Sequence, residues 1–345
     1  MRSLLILTAV IGVAAAFVAP AMRRGASSAS VQTYSGPTMG TLYHYSIITC
    51  RAPASIQQRV DSRLAEINKA MSTYDPDSEL SRFNKSDSLD WFDVSEETAR
   101  VVAFALEVSE KTNGAFDPTV GPAVNLWGFG PDGRRKSPPT DEQVSAALAR
   151  VGYKNVEARL DPPAIKKSRP DVYVDLSAVA KGYGVDEVSR VLAENGSEAS
   201  MVEIGGEVVC RGAKPDGSPW RIGVEKPDER GVAIQTVVEL SDAALATSGD
   251  YRNFFQQDGV RFSHTINPQT GRPVEHRLAE VSVRAKSCME NDAYATSILV
   301  MGPEKGYNWA QKQNLAVLMI ERTHDGFVEK TTPNWRGGRD RSTGP

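Results

Sequence analysis

Asp292 and Thr296 stand four residues apart in the run Glu290-Asn291-Asp292-Ala293-Tyr294-Ala295-Thr296. This composition predicts the start of a helix, on which positions i and i+4 share a face. A carboxylate beside a hydroxyl suits a hard cation such as Mg2+, which takes oxygen ligands and keeps places for water and phosphate. An Asp at a helix start also serves as an N-cap, so spacing alone leaves both readings open. A second signal is Val174-Asp175-Leu176-Ser177-Ala178-Val179-Ala180-Lys181-Gly182-Tyr183-Gly184. There a β-type run is predicted to turn into a helix through small residues, which let a ligand reach backbone N–H groups that favour anions. Asp175 is either a cap or a ligand, and Lys181 either a solvated charge or a counter-charge to phosphate.

Other signatures point away from several enzyme classes. Gly128-Phe129-Gly130-Pro131-Asp132-Gly133 spells G-x-G-x-x-G, yet aromatic residues crowd it, Pro131 interrupts it and no helix is predicted after it. A dinucleotide fingerprint needs a strand before and a helix after, so the segment reads as a loop. No P-loop, H-E-x-x-H or G-x-S-x-G pattern occurs. Cys50, Cys210 and Cys288 form no C-x-x-C pair and read as core residues, or as one disulfide and a spare. Forty Lys and Arg oppose 43 Asp and Glu, a formal net charge of −3, and the basic cluster Arg134-Arg135-Lys136 sits in a predicted turn. A nucleic-acid partner is therefore not expected.

Positioning the two signals takes a mixed architecture. A strand is predicted at Thr41 to Thr49, then a helix whose Ile56, Val60, Leu64, Ile67 and Met71 share one face. A second helix starts at Ser95, carries Val101, Val102, Ala105 and Leu106, and stops at Asn113-Gly114. A third opens with a Thr140–Gln143 capping box. Asp171 to Leu176 reads as a strand entering a helix from about Ser177 to Glu194 with Gly196 behind it. Strands follow at Met201 to Cys210, Trp220 to Glu225, Thr236 to Ser241, Leu278 to Ala285 and Leu315 to Glu321, with helices near Asp292 to Val300 and Glu304 to Gln313. With no repeat and no internal linker, the expectation is one large α+β domain over 35–335, preceded by a linker at 22–34 and followed by a tail at 336–345. Arg2, the apolar run Leu4 to Val18 and Ala19-Pro20-Ala21 make residues 1–21 an export signal or, because Pro20 disturbs the cleavage pattern, an uncleaved N-terminal anchor.

In order along the chain, these pieces resemble the ApbE family of FAD:protein FMN transferases. The resemblance runs from Gly36-Pro37-Thr38-Met39-Gly40-Thr41 to about Glu321. It includes Met71-Ser72-Thr73-Tyr74 with Ser81-Arg82-Phe83-Asn84, then Gly114-Ala115-Phe116-Asp117-Pro118-Thr119-Val120-Gly121-Pro122, then Asp175 to Gly184. Glu203-Ile204-Gly205-Gly206-Glu207, Ala246-Thr247-Ser248-Gly249-Asp250-Tyr251, His264-Thr265-Ile266-Asn267-Pro268 and Asp292 to Thr296 follow.

The resemblance implies an α+β ApbE-type domain with a T-fold-like element, FAD as substrate, bound Mg2+, and transfer of FMN to a Ser or Thr hydroxyl with release of AMP. It assigns FAD contacts to Met39, Tyr74, Ala115, Phe116, Asp117, Asp175, Lys181 and Ile266, and places the carbonyl of Ala178 with Asp292 and Thr296 around the metal. Asp292 is thereby catalytic through the metal. His264, whose ordinary pKa lies near 6.5, is either the proton carrier or a structural histidine. Arg252 either touches phosphate or is a surface charge. The chain departs from the family at Lys181, where a carboxylate is common, at Ala295, where some members carry a further acidic ligand, and at Glu203, where a smaller polar residue is common. The implied partner is a membrane-associated redox subunit, for instance of a sodium-translocating quinone reductase or an electron-transport complex, bearing a Ser/Thr flavinylation motif. The implied location is periplasmic, in line with the leader. Hydrolysis of FAD to FMN and AMP, and non-catalytic flavin storage, are the alternatives.

Overall fold

Strands β1 (Ser30–Thr38) and β2 (Thr41–Thr49) form an antiparallel hairpin in which Thr38 faces Thr41. Met39 and Gly40 between them take φ of +48° and +72°, the twist-matched geometry of a two-residue hairpin turn. In this computed structural model the described residues are 30–335 without 50–53, 134, 136, 229, 230 and 232. The expected leader 1–21, Cys50, Arg134, Lys136 and the expected tail 336–345 lie outside them. The linker expected at 22–34 is corrected in its second part: from Ser30 onward the chain is strand, because the ladder Val31↔Ile48 to Thr38↔Thr41 outweighs its polar composition.

Helix α1 (Ile56–Met71) buries Ile56, Val60, Leu64, Ile67 and Met71, the five residues whose helical spacing predicts it. Next come α2 (Glu79–Lys85), β3 (Phe92–Asp93) and α3 (Glu96–Lys111), whose N-cap Ser95 accepts the Thr98 N–H. Short helices α4 (Gly121–Leu126) and α5 (Asp141–Leu148) follow, the latter opened by the expected Thr140–Gln143 capping box. Strands β4 (Val156–Leu160) and β5 (Pro163–Lys167) join β3 in a small sheet beside α3.

Asp171–Leu176 forms no strand and belongs to no sheet, a correction to the predicted strand. The Asn84 carboxamide donates to the Val174 carbonyl and accepts its N–H, both at 2.8 Å, so one side chain supplies what a neighbouring strand would. Helix α6 (Ala180–Glu194) begins three residues later than expected, after a tight turn in which Ala180 N–H reaches Leu176 O.

The second half supplies β6 (Ala199–Ile204), β7 (Glu207–Arg211), β8 (Trp220–Glu225), β9 (Ile234–Leu240) and β10 (Ala243–Gly249). The run predicted as one strand from Met201 to Cys210 is folded at Gly205-Gly206 into the β6–β7 hairpin. Short strands β11 (Phe254–Gln257), β12 (Val260–Ser263), β13 (Ile266–Asn267) and β14 (Arg272–Pro273) form two small hairpins. Then come β15 (Leu278–Ala285), α7 (Cys288–Met301), α8 (Lys305–Lys312), β16 (Ala316–Thr323) and β17 (Gly326–Thr331).

Eight of these strands form one wholly antiparallel sheet in the order β1-β2-β6-β7-β10-β15-β16-β17. Helices α1, α6 and α7 cover one face, burying Val60, Val185, Val188 and Cys288 against Tyr43, Tyr45, Val202 and Ala246. The β8–β9 hairpin covers the other with Trp220, Val224, Val238 and Leu240. An antiparallel sheet backed by helices is the T-fold-like part of the expected α+β architecture. Helix α7 is buried nearly all round, which explains its apolar composition on every face. Among the described residues no helix is long and apolar enough to cross a membrane.

Candidate functional site

The site is built where the N-termini of α6 and α7 abut. A Cβ on Gly182 would stand 2.4 Å from the Cys288 carbonyl oxygen, so only glycine lets the two helices come this close. Asp186 on α6 then accepts the N–H groups of Cys288 and Met289 and the Ser287 hydroxyl, each at 3.0 Å. These are orphan donors of the α7 N-terminus, satisfied from the neighbouring helix. In return, Asp292 on α7 accepts the Gly182 N–H on its Oδ2 at 3.0 Å. Asp292 is not the cap of its own helix, since Ser287 holds that position and accepts from Glu290 N–H.

That last bond has a consequence for Ala178. Tyr183 N–H donates to Val179 O as a helix start requires, whereas Gly182 N–H goes to Asp292 and not to the carbonyl four residues back. The carbonyl of Ala178 therefore receives no backbone donor among the described hydrogen bonds. The Asp292 carboxylate that takes the Gly182 N–H in its place is 2 % exposed. One turn further along α7, the Thr296 hydroxyl lies 3.0 Å from the Ser248 hydroxyl of β10. A carboxylate, a freed carbonyl and a hydroxyl pair are all hard oxygen donors, and this set fits Mg2+ completed by water or phosphate. No cluster of three acidic, His or Cys side chains stands in for it among the described residues.

Two further charges occupy the junction, one of them not singled out in the sequence. The Lys181 ammonium is 3.1 Å from Glu207 Oε1 and 3.6 Å from Asp292 Oδ2. Burial alone would lower the Lys181 pKa, but Asp292 and Glu207 outweigh it and raise it, so the side chain stays charged. Glu207, the first residue of β7, is 2 % exposed, and its Oε2 has no hydrogen-bond partner. Burial pushes its pKa up against the pull of Lys181. A sequence signal for Glu207 existed only in its place just after the Gly205-Gly206 turn.

The remaining candidate residues fall in the β1–β2 turn, at Tyr74, in the 115–121 loop, at Asp175 and in the 264–266 segment. Met39, at the β1–β2 turn, packs on α6, where a Cβ on Gly184 would lie 3.0 Å from its methyl group. Tyr74 is 66 % exposed, a free aromatic face and not a core residue, and its pKa is raised by burial and by Asp175 nearby. Asp175 accepts the Ser177 N–H at 2.8 Å and the Ser177 hydroxyl, and its own N–H goes to Pro118 O at 2.7 Å, joining it to the 115–121 loop. In that loop Ala115 and Phe116 are buried, and the Asp117 carboxylate is spent on Thr119 and on the Tyr153 N–H. What that segment offers a ligand is backbone.

Ile266 is buried with Trp127 and Val144, and Gln269 donates to Asn113 O at 3.2 Å, so the 264–271 and 113–130 loops close on each other. His264 sits edge-on to Phe129 with ring centroids 6.3 Å apart. Its Nδ1 donates to Asn253 O at 3.1 Å, which leaves Nε2 as the acceptor of a neutral ring. Burial and the Lys181 charge hold its pKa below the ordinary value.

Glu203 gains an explanation: its carboxylate meets His44 Nδ1 at 2.9 Å across the strands and accepts the Gly206 N–H at 2.7 Å, stiffening the turn before Glu207. Arg252 pairs with Glu225 at 2.7 Å. Gly128–Gly133 is a loop, as expected. Cys210 and Cys288 are buried free thiols. An open groove of about 460 Å³ between α1 and α6, lined by Arg59, Arg63, Glu66 and Glu194, contains none of the candidate residues.

Comparison with known proteins points one way. The model of the ApbE family matches residues 39–319. An FAD:protein FMN transferase of Vibrio cholerae is 47 % identical over 305 residues, 88 % of this chain and 91 % of that protein. One from Escherichia coli is 39 % identical, covering 89 % and 88 %. Among solved structures, the flavin transferase ApbE from Vibrio cholerae superposes with a TM-score of 0.82 at 45 % identity, covering 89 % of this chain and 98 % of that one. The apo flavinyl transferase ApbE of Pseudomonas stutzeri gives 0.81 at 38 % identity, covering 89 % and 96 %.

Proposed function

This chain belongs to the ApbE family, and from that premise we propose that it moves the FMN half of FAD onto a Ser or Thr hydroxyl of an acceptor protein, with Mg2+ held at the α6–α7 junction. Flavin transfer from FAD to protein is the activity its relatives are named for. The observation that carries the metal assignment is the diverted Gly182 N–H, because one hydrogen bond both orients the Asp292 carboxylate and strips the Ala178 carbonyl of its donor. Asp292, Thr296 and the Ala178 carbonyl would hold the ion. Mg2+ bound there supplies charge neutralisation at the diphosphate and at the departing AMP oxygen.

The chain's own groups have distinct tasks. The first turn of α6 directs its N-terminal dipole at the diphosphate. Tyr74 and Met39 offer apolar surface for a ring system of FAD. Asp175 keeps Oδ2 for a ribose hydroxyl or the adenine amine, since Oδ1 is occupied by Ser177. His264, neutral with Nε2 available, takes the proton of the acceptor hydroxyl as its oxygen bonds to the FMN phosphorus and the bond to the AMP phosphate oxygen breaks. No protein nucleophile is needed.

We further infer that the acceptor is a membrane-associated redox subunit, met in the periplasm to which the leader 1–21 would send this chain. The test combines protein, FAD, Mg2+ and an acceptor carrying a Ser/Thr flavinylation motif, read by flavin fluorescence in a denaturing gel. A fluorescent acceptor band with one AMP per flavin is expected, lost when the acceptor hydroxyl is removed or the metal chelated. Release of free FMN and AMP with no labelled acceptor would replace transfer by hydrolysis.

A further inference from the structure

On the footing of the metal reading above, we propose that Lys181 is a tethered cation that competes with the divalent ion for Asp292, and that Glu207 is its alternative seat, so that this pair sets the affinity of the site for metal. The ammonium already lies between the two carboxylates, 3.1 Å from Glu207 Oε1 and 3.6 Å from Asp292 Oδ2. Its side chain is 29 % exposed and unbranched, and the residue next to its stem is Gly205, which has no side chain to hinder it, so it can pivot without moving backbone.

Glu207 is suited to receive it. The residue is 2 % exposed, and its Oε2 accepts no hydrogen bond, an arrangement that costs free energy for as long as that oxygen stays unpaired. Moving the ammonium fully onto Glu207 pairs both oxygens and leaves Asp292 with only the Gly182 N–H. A divalent ion arriving at Asp292 repels the ammonium in that same direction. A plain structural ion pair would account for the Lys181–Glu207 contact, but not for an ammonium shared with Asp292 while a buried oxygen of Glu207 lacks a partner.

The test is Mn2+ binding to the full mature chain without FAD, followed by the electron paramagnetic resonance of free Mn2+. Lys181→Gln, and Lys181→Met as a second uncharged variant, should bind Mn2+ about tenfold tighter than the native chain, and Glu207→Gln about tenfold weaker. The weakening by Glu207→Gln should shrink several-fold in the Lys181→Gln background, because the seat matters only to a cation that uses it. Unchanged or weaker Mn2+ binding in both folded Lys181 variants would overturn the proposal while leaving the metal site standing. Asp292→Asn separates the two ideas: if native-level Mn2+ binding survives it, the metal reading fails first and this inference with it.

Discussion

His264 is held neutral by burial and by the nearby Lys181 charge, so its protonation falls below pH 6.5 and not above it. If it accepts the hydroxyl proton, the acid limb of the rate profile lies below pH 6.5, and His264→Gln should remove that limb and lower kcat by about 10²- to 10⁴-fold with FAD binding retained. Steady-state rates from pH 5 to 8 check this; an intact acid limb in the variant would assign the proton elsewhere. Glu280 on β15 is a different case. It is 1 % exposed, and burial pushes its pKa up to about 8 against the opposing pull of the Tyr251 hydroxyl. The folded chain thus keeps a proton that the unfolded chain has released above pH 4.5, so stability falls as pH rises from about 4.5 to 8. Glu280→Gln should melt at a higher temperature than the native chain at pH 9, with the difference shrinking toward pH 5. Of the residues concerned, Asp292 and Thr296 drew notice by their spacing, which left cap and ligand both open until the family resemblance favoured the ligand. Ala178 came from the resemblance alone, since its residue type says nothing and its carbonyl is freed only by the acceptor that Gly182 N–H takes. The contact of Glu207 with Lys181 was not legible, because β7 brings it there from 26 positions away.

Helices α6 and α7 fix the site through a reciprocal pair of contacts, Asp186 onto the α7 N-terminus and Asp292 onto Gly182. Asp186→Ala takes the acceptor from the Cys288 and Met289 N–H groups and should lower stability by about 1–3 kcal/mol by denaturant unfolding. Transfer should fall too, since α7 carries Asp292. Gly182→Ala forces a Cβ to within 2.4 Å of the Cys288 carbonyl oxygen and should cost more in both readings. Equal activity in either variant would mean that the helix junction does not position the chemistry. At this scale the periodic helices and the strands Thr41–Thr49, Trp220–Glu225 and Leu278–Ala285 were readable, because apolar spacing reports burial directly. Asp171–Leu176 misled because its alternating burial is that of a strand, while its backbone is held by the Asn84 carboxamide and the Pro118 carbonyl and by no neighbouring strand.

The main sheet takes its edge strands from the two ends of the described chain, β1 and β17, and its order is set by pairings that no local pattern reveals. Strand β1 matters more than its place at the edge of the sheet suggests: Tyr34 stacks on Tyr45 at 4.9 Å, and the turn it shares with β2 carries Met39. A chain starting at residue 39 should melt several degrees lower than one starting at residue 30 and bind FAD more weakly, by thermal scan and flavin titration; equal behaviour would make β1 dispensable. The family motifs were legible in order, whereas the closing of the 113–130 loops on 264–271 was not, being made by distant pairs such as Gln269 with Asn113. The most direct test of the central claim is anomalous diffraction from crystals grown with FAD and Mn2+. A peak about 2.0–2.3 Å from an Asp292 carboxylate oxygen, the Ala178 carbonyl and the Thr296 hydroxyl, against the diphosphate, is the expected result. Bound FAD with the Mn2+ peak elsewhere, or with none at all, would contradict it.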